Sequence, residues 1–255
     1  MKILAIALNT GREAIRNKVL YSILLFAGLL TAISAAFGAA SIGDTMTFVK
    51  DFSLFSISVF GVVTTVLLGV NLLSKELGKR TIYNILSKPV ARSTFLLGKF
   101  VGLFATLTIM MLVLIAALFV LLLCVEQRVD WQLFPAVGLM VLELGILLAV
   151  AVFFSTIVVT PALAGLFTAA TFIAGRSATF LSYFFAPEQP ASLRYSMHVL
   201  YTALPHLDRF YVADRIVSGQ VLPPAYYLHA GLYAAAYAGL LLVLSVAIFR
   251  RREFV

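Results

Sequence analysis

Apolar residues fall along this chain in six long runs, parted by shorter stretches where polar and charged positions collect. A helix needs about 20 apolar residues to cross the ~30 Å hydrocarbon core of a bilayer. The runs at 19–40, 52–74, 98–124, 134–157, 160–185 and 228–249 therefore predict six transmembrane helices. Between the fourth and fifth lies only a polar notch of Ser155, Thr156, Thr160 and Pro161, and the joined run is far too long for one span. The gaps carry a periodicity of their own. In 2–17, Ile3, Leu4, Ala7, Leu8 and Ile15 recur at helical spacing with Asn9, Arg12, Glu13 and Arg16 opposite. This predicts a short amphipathic helix within 1–18, lying in the membrane interface with its cations among headgroups. In 187–227, Pro187, Pro190, Pro205, Pro223 and Pro224 punctuate a segment in which Leu193, Met197, Leu200, Tyr201 and Leu204 form one apolar stripe. Short helices are expected there, on the outer membrane surface or dipping back against the protein. The gap at 75–97 combines cations, helical periodicity and a Ser87-Lys88-Pro89 break, which marks a folded element rather than a slack loop.

Composition agrees with this plan. The chain has 255 residues, 62% hydrophobic and 12% charged, with mean hydropathy +1.04. Soluble domains are about half apolar and about a quarter charged, so an all-α membrane protein forming one domain over 1–255 is expected. A net charge of +8 and a pI near 9.7 would suggest nucleic acid in a soluble protein. Here the cations stand beside apolar runs, so anionic headgroups and topology account for them and no nucleic-acid partner is expected. Cys124 is the sole cysteine and has no disulfide partner in the chain. No short apolar core with a cleavage site opens the chain, so no removable signal peptide is expected.

Charge sets the orientation. Lys2, Arg12, Arg16, Lys18, six cations between Lys75 and Lys99, and Arg250, Arg251 and Arg252 all fall at one set of span ends, against Glu13, Glu76 and Glu253. The other ends hold Lys50, Arg128, Arg194, Arg209 and Arg215, with Arg176 nearby, among most of the acids. The positive-inside rule then makes both termini and the 75–97 loop cytoplasmic in a multi-pass protein.

Chemistry is mostly absent from the pattern. The phosphate-cradling Gly-x-x-x-x-Gly-Lys-Ser/Thr is missing: Gly98-Lys99 has Ser93 where the first glycine belongs and is followed by Phe100. Gly175-Arg176-Ser177-Ala178 offers a serine, with His198, His206 or His229 as bases, but a serine in a small-residue run is ordinarily a packing residue. No metal-ligand spacing and no catalytic set emerge. Two charges inside predicted spans carry more weight. Glu143 lies about nine residues into the fourth, roughly 14 Å deep at 1.5 Å per residue, and Arg176 lies in the outer half of the fifth. An ionised group at that depth must face protein or water. The two either pair as a staple between spans, or Glu143 contacts cargo or gates a route. Small residues add close-approach sites, Gly98 with Gly102 and Ala32 with Ala36 and Ala40, within the chain or between copies.

The basic gap also carries a motif. Glu76-x-x-x-Arg80-Thr81-x-x-x-Ile85-Leu86-Ser87-x-Pro89-Val90-x-Arg92, closing on Gly98-Lys99, resembles the cytoplasmic loop of ABC-2 class exporter permeases. Asn9 to Lys18 is similar to the interfacial connecting helix of that family. Leu204-Pro205-His206-Leu207-Asp208-Arg209-Phe210 is similar to its external Leu-Pro-Asn-Leu-x-x-Phe turn, with His206 for the usual Asn. Phe249-Arg250-Arg251-Arg252-Glu253-Phe254 is a similar ending, so the resemblance spans nearly the whole chain.

What the resemblance implies is a half-transporter with a coupling helix between spans two and three. That helix would seat in a groove of a separate cytoplasmic ATPase, present in two copies that bind ATP and Mg, so that this chain needs no cofactor of its own. Leu77, Thr81, Ile85 and Leu86 would face the groove and Lys79, Arg80 and Lys88 the acids of its rim, with Glu76 and Arg92 also in the docking set. Arg12, Glu13 and Arg16 would belong to the interface helix, and Leu204, Pro205 and His206 to the external turn. A second permease copy, membrane lipids and a periplasmic partner complete the expected assembly. An amphipathic or lipidic cargo is expected, with Phe55 and Phe60 lining its path.

Overall fold

In a computed structural model of the chain, residues 2–39, 45–78, 91–127, 130–158, 160–185 and 190–251 are described. Among them every regular element is helical: α1 (Lys2–Ile15), α2 (Lys18–Ala39), α3 (Thr45–Gly78), α4 (Arg92–Glu126), α5 (Leu133–Ile157), α6 (Pro161–Arg176), α7 (Ala178–Leu181), α8 (Ala191–Ala203), α9 (Ala213–Val217) and α10 (Pro224–Arg251). Two 3₁₀ turns, Ser182–Phe185 and Leu207–Arg209, complete the order. The protein is a multi-pass integral membrane protein. Among the described residues four helices, α3, α4, α5 and α10, are long and apolar enough to cross a bilayer, and α1 with α2 adds a fifth if the bent pair is taken as one span.

The central element is α5. It is apolar all round, and such a helix is stable only when enclosed. Its residues from Glu143 to Val152 are all buried, between α3, α4, α6 and α10. Leu54 and Ile57 of α3, Met111 and Leu118 of α4, and Leu139 and Ile146 of α5 are core residues with essentially no exposure. The outward sides of α4 and α10 keep Ile109, Val113, Val120, Leu232, Leu240 and Val243 exposed, as lipid-facing surfaces must.

The polar notch between the fourth and fifth predicted spans is a true break. Thr160 is extended, Pro161 occupies the first turn of α6, and the hydroxyls of Ser155 and Thr156 bond back to the carbonyls of Ala151 and Phe153. The fifth predicted span, 160–185, is divided. At 16 residues, α6 is about 24 Å long, short of the hydrocarbon thickness. It stops where Gly175 meets the segment at 205–207, and the chain goes on through α7 and a 3₁₀ turn.

The amphipathic helix expected at the N-terminus is α1, set at 61° to the following helix. The side it packs with is its small one. Ala7, Thr10 and Ala14 lie on α4, while Leu4 at 64% and Leu8 at 57% exposure face away from the bundle. Gly98 and Gly102 make this contact possible, so their spacing serves packing within the chain. A Cβ on Gly102 would stand 2.4 Å from the Ala7 carbonyl oxygen, a distance no side chain survives.

At the basic end, Arg92 Nη1 donates to the carbonyls of Phe249 and Arg250, 3.2 Å each, placing a cation on the negative C-terminal end of α10. At the opposite end, Lys50 of α3 pairs with Asp130 at 3.2 Å.

Candidate functional site

The strongest polar constellation lies toward the end opposite the basic one, where α3, α5 and α6 meet. Arg176, last residue of α6, reaches Glu143 of α5 in a two-pronged pair: Nε to Oε1 at 3.0 Å and Nη2 to Oε2 at 3.1 Å. The same Nη2 donates to Ser58 Oγ of α3 at 2.8 Å. The guanidinium lies 4.2 Å from the ring centre of Tyr211 and 5.2 Å from that of Phe172. Glu143 is buried, with 1% exposure. Each ion has given up hydration worth several kcal/mol, and only paired, hydrogen-bonded geometry offsets that loss. The fork of the guanidinium matches the carboxylate, and its face suits the aromatic rings. One arginine thus joins three bundle helices to the segment that carries Tyr211.

That segment is itself clamped. Gly175, adjacent to the arginine, touches the turn at Leu204-Pro205-His206: a Cβ there would lie 2.5 Å from the Pro205 carbonyl oxygen. Three tyrosines of α10 hold the turn from the other side. The Tyr226 hydroxyl donates to the Arg209 carbonyl, Tyr233 Oη accepts from the His206 backbone N–H at 3.0 Å, and the Tyr237 hydroxyl donates to the Ala203 carbonyl at 3.0 Å. Phe210 is wholly buried beneath, and Asp208 accepts from the Thr179 hydroxyl. Leu204 is half-buried and Pro205 buried.

His206 sits edge-on to Tyr201, ring centres 4.3 Å apart, with Nδ1 3.3 Å from Tyr233 Oη. Burial pushes its imidazole below the usual range; the Arg209 charge acts the same way and Asp208 opposes. The folded state therefore favours neutral His206. Its stabilisation is complete above the ordinary value near 6.5 and is lost as pH falls through and below it. Hydrogen exchange of the 204–210 amides, corrected for intrinsic rates, should rise between about pH 7.5 and about pH 5.5. The His206→Asn variant should lose most of that dependence. Equal protection across the range in the wild type would refute the assignment.

The other sequence-derived positions fall elsewhere. Arg12, Glu13 and Arg16 are exposed on α1 or just after it. Glu76 and Leu77 lie in the last turn of α3, and their side chains are outside the described residues, as are Lys79, Arg80, Thr81, Ile85, Leu86 and Lys88 altogether. Arg92, expected in the docking set, is partly exposed and donates to carbonyls at the end of α10. Ser177 caps α6 through its backbone and has no hydroxyl bond to a histidine. No group of His, Cys, Asp or Glu suited to a metal ion occurs among the described residues.

Ser58, Tyr211 and the α10 tyrosines were not singled out from sequence. For Tyr226, Tyr233 and Tyr237 a signal existed, since i, i+7 and i+11 share one helix face. Ser58 and Tyr211 carry no local signal.

A family profile described as "ABC-2 family transporter protein" matches residues 4–254, nearly the whole chain. No curated protein matches.

Proposed function

Because the chain belongs to the ABC-2 family of transporters, we propose that it is the permease subunit of an ATP-driven exporter, working with a separate ATPase through the loop at 75–97. The observation that carries this reading is the run of α3. Its 34 residues are unbroken, about 50 Å at 1.5 Å per residue. Its C-terminal end leads into the basic loop, and Ser58 on the same helix bonds Arg176. A displacement of the loop is thereby delivered to the Glu143–Arg176 contact and the turn beyond it. In the proposed cycle, ATP binding closes two partner ATPases, the loop moves as a lever, and two permease copies switch access from the inner to the outer side. Both termini are cytoplasmic in this scheme.

An amphipathic or lipidic cargo is the class favoured. Phe55 of α3 is 52% exposed on the bundle surface, available to a path between copies. Phe60 packs edge-on against Phe26, ring centres 5.7 Å apart, and is less free to line one.

A second reading is favoured by the three tyrosine hydroxyls that bind the 203–209 backbone to α10. A turn held so firmly is suited to pass motion to a partner outside the membrane without cargo crossing this chain. Reconstitution with the cognate ATPase separates the two: vectorial cargo movement by the purified complex supports export, whereas ATPase activity governed only by an outside partner supports transmission.

Docking has its own test. Replacing Leu77 and Ile85 by Asp places two charges on the apolar stripe, and co-purification of the ATPase should fall at least about tenfold, the equivalent of ~1.4 kcal/mol, with membrane insertion unchanged. Wild-type levels of co-purified ATPase would exclude the loop as the main contact.

A further inference from the structure

A cavity of about 450 Å³ opens beside the clamped turn, between Thr179 of α7, the 208–212 segment, α9 and the first turns of α10. Its size falls within the ~300–1,000 Å³ typical of small-molecule sites. Its floor is apolar, with Phe210, Val212 and Ala230 almost wholly covered and the half-buried rings of Tyr211, Tyr226 and Tyr233 beside them. Its polar wall is unevenly committed. The Tyr226 and Tyr233 hydroxyls are bound to the backbone of the turn, and Asp208 accepts from Thr179 through Oδ2 while its buried Oδ1 has no hydrogen-bond partner among the described residues. Arg209 and Arg215 also line the cavity, and neither guanidinium forms an ion pair among the described residues. His229 completes that wall.

We propose that this cavity binds the phosphate group of an amphiphile, with Arg209 and Arg215 taking the phosphate oxygens and the Phe210–Val212–Ala230 floor taking the adjoining apolar part. Two planar forks carry ten N–H donors and two positive charges, more than one carboxylate can accept; a tetrahedral phosphate has the oxygens and the charge to engage both. The floor then selects a phosphate joined to carbon chain over a bare inorganic ion. The phosphate alone is offered by a membrane phospholipid and by a soluble phosphomonoester such as glycerol phosphate, but only the lipid carries an apolar part for the floor. The site is independent of the transport reading, because nothing in it requires an ATPase or a direction of movement.

The experiment uses the full chain, delipidated in detergent and then placed in phosphatidylcholine nanodiscs doped with phosphatidylglycerol, with glycerol phosphate titrated separately into the detergent form. Native mass spectrometry should find bound phosphatidylglycerol on the wild type. The double variant Arg209→Gln, Arg215→Gln should bind about tenfold more weakly or worse, with an unchanged melting temperature, since both side chains are exposed and unpaired. Retained phosphatidylglycerol that glycerol phosphate does not displace identifies the lipid as the source. Binding of glycerol phosphate without lipid enrichment shows that the apolar floor takes no part and overturns the assignment to an amphiphile. A wild type that binds neither probe, or a double variant that binds as the wild type does, overturns the assignment. The single variant Arg215→Glu gives a second reading should the double variant fold poorly: it should repel both probes, and wild-type binding by it would overturn the assignment as well.

Discussion

Replacing Arg176 by alanine should lower the stability of the protein by about 3–5 kcal/mol, the usual consequence of leaving one member of a buried pair alone. Glu143 would keep its burial while losing both prongs of the guanidinium, and Ser58 and Tyr211 would lose a partner as well. The Glu143→Ala variant should cost a similar amount, from the other side. The informative comparison is the neutral double variant Glu143→Gln, Arg176→Met. It strands no charge, so it should unfold closer to the wild type than either single variant does. Denaturant unfolding in detergent, followed by tryptophan fluorescence of Trp131 and by size exclusion, measures all of these. If Arg176→Ala unfolds at the wild-type midpoint, the pair does not hold α3, α5 and α6 together. If both single variants are stable but inactive in transport, Glu143 belongs to the cargo route.

Gly102→Val should have the next largest effect. The new Cβ would meet the Ala7 carbonyl oxygen at 2.4 Å and the Thr10 Cβ at 2.9 Å. The first of these is backbone, which cannot rotate away, so α1 must lift from α4. Overpacking of this kind costs about 1–3 kcal/mol, and the cost should fall on this one contact. Cysteine labelling at Ala7 or Ala14, buried in the wild type, should become fast in the variant while the rest of the bundle keeps its melting temperature. Slow labelling in both proteins would show that α1 is held by something other than this approach. Gly175→Ala tests the same principle at the other end, where the neighbour is the Pro205 carbonyl oxygen.

Different parts of the molecule were legible to different degrees. Long elements were readable because burial in lipid demands continuous apolar sequence, as in α3, α4, α5 and α10. The break at Ser155–Pro161 was readable because proline and back-bonding hydroxyls are local effects. The interruption of the fifth run at Arg176–Ser177 was not. Nothing within 160–185 forbids a continuous helix; the stop falls beside Gly175, where the turn at 205–207, about thirty residues later in the chain, packs close. The role of α1 was half legible. Its amphipathic pattern was plain, but its packing side is Ala7, Thr10 and Ala14 rather than its large apolar residues, because the glycines of α4 admit only small partners.

The amino-acid sequence by itself determined an all-helical membrane protein, a charge asymmetry between the two ends of its apolar runs, and the family signature at 76–99 and 204–210. Each of these follows from properties that neighbouring residues express together: hydropathy over a span, net charge over a gap, a motif over one turn. Tertiary structure alone decided that Arg176 chooses Glu143 and Ser58, that Gly102 serves α1, and that tyrosines of α10 grip the turn after α8. Those are pairings between residues far apart in the chain. Their energies depend on distance and desolvation, which exist only once the helices have packed.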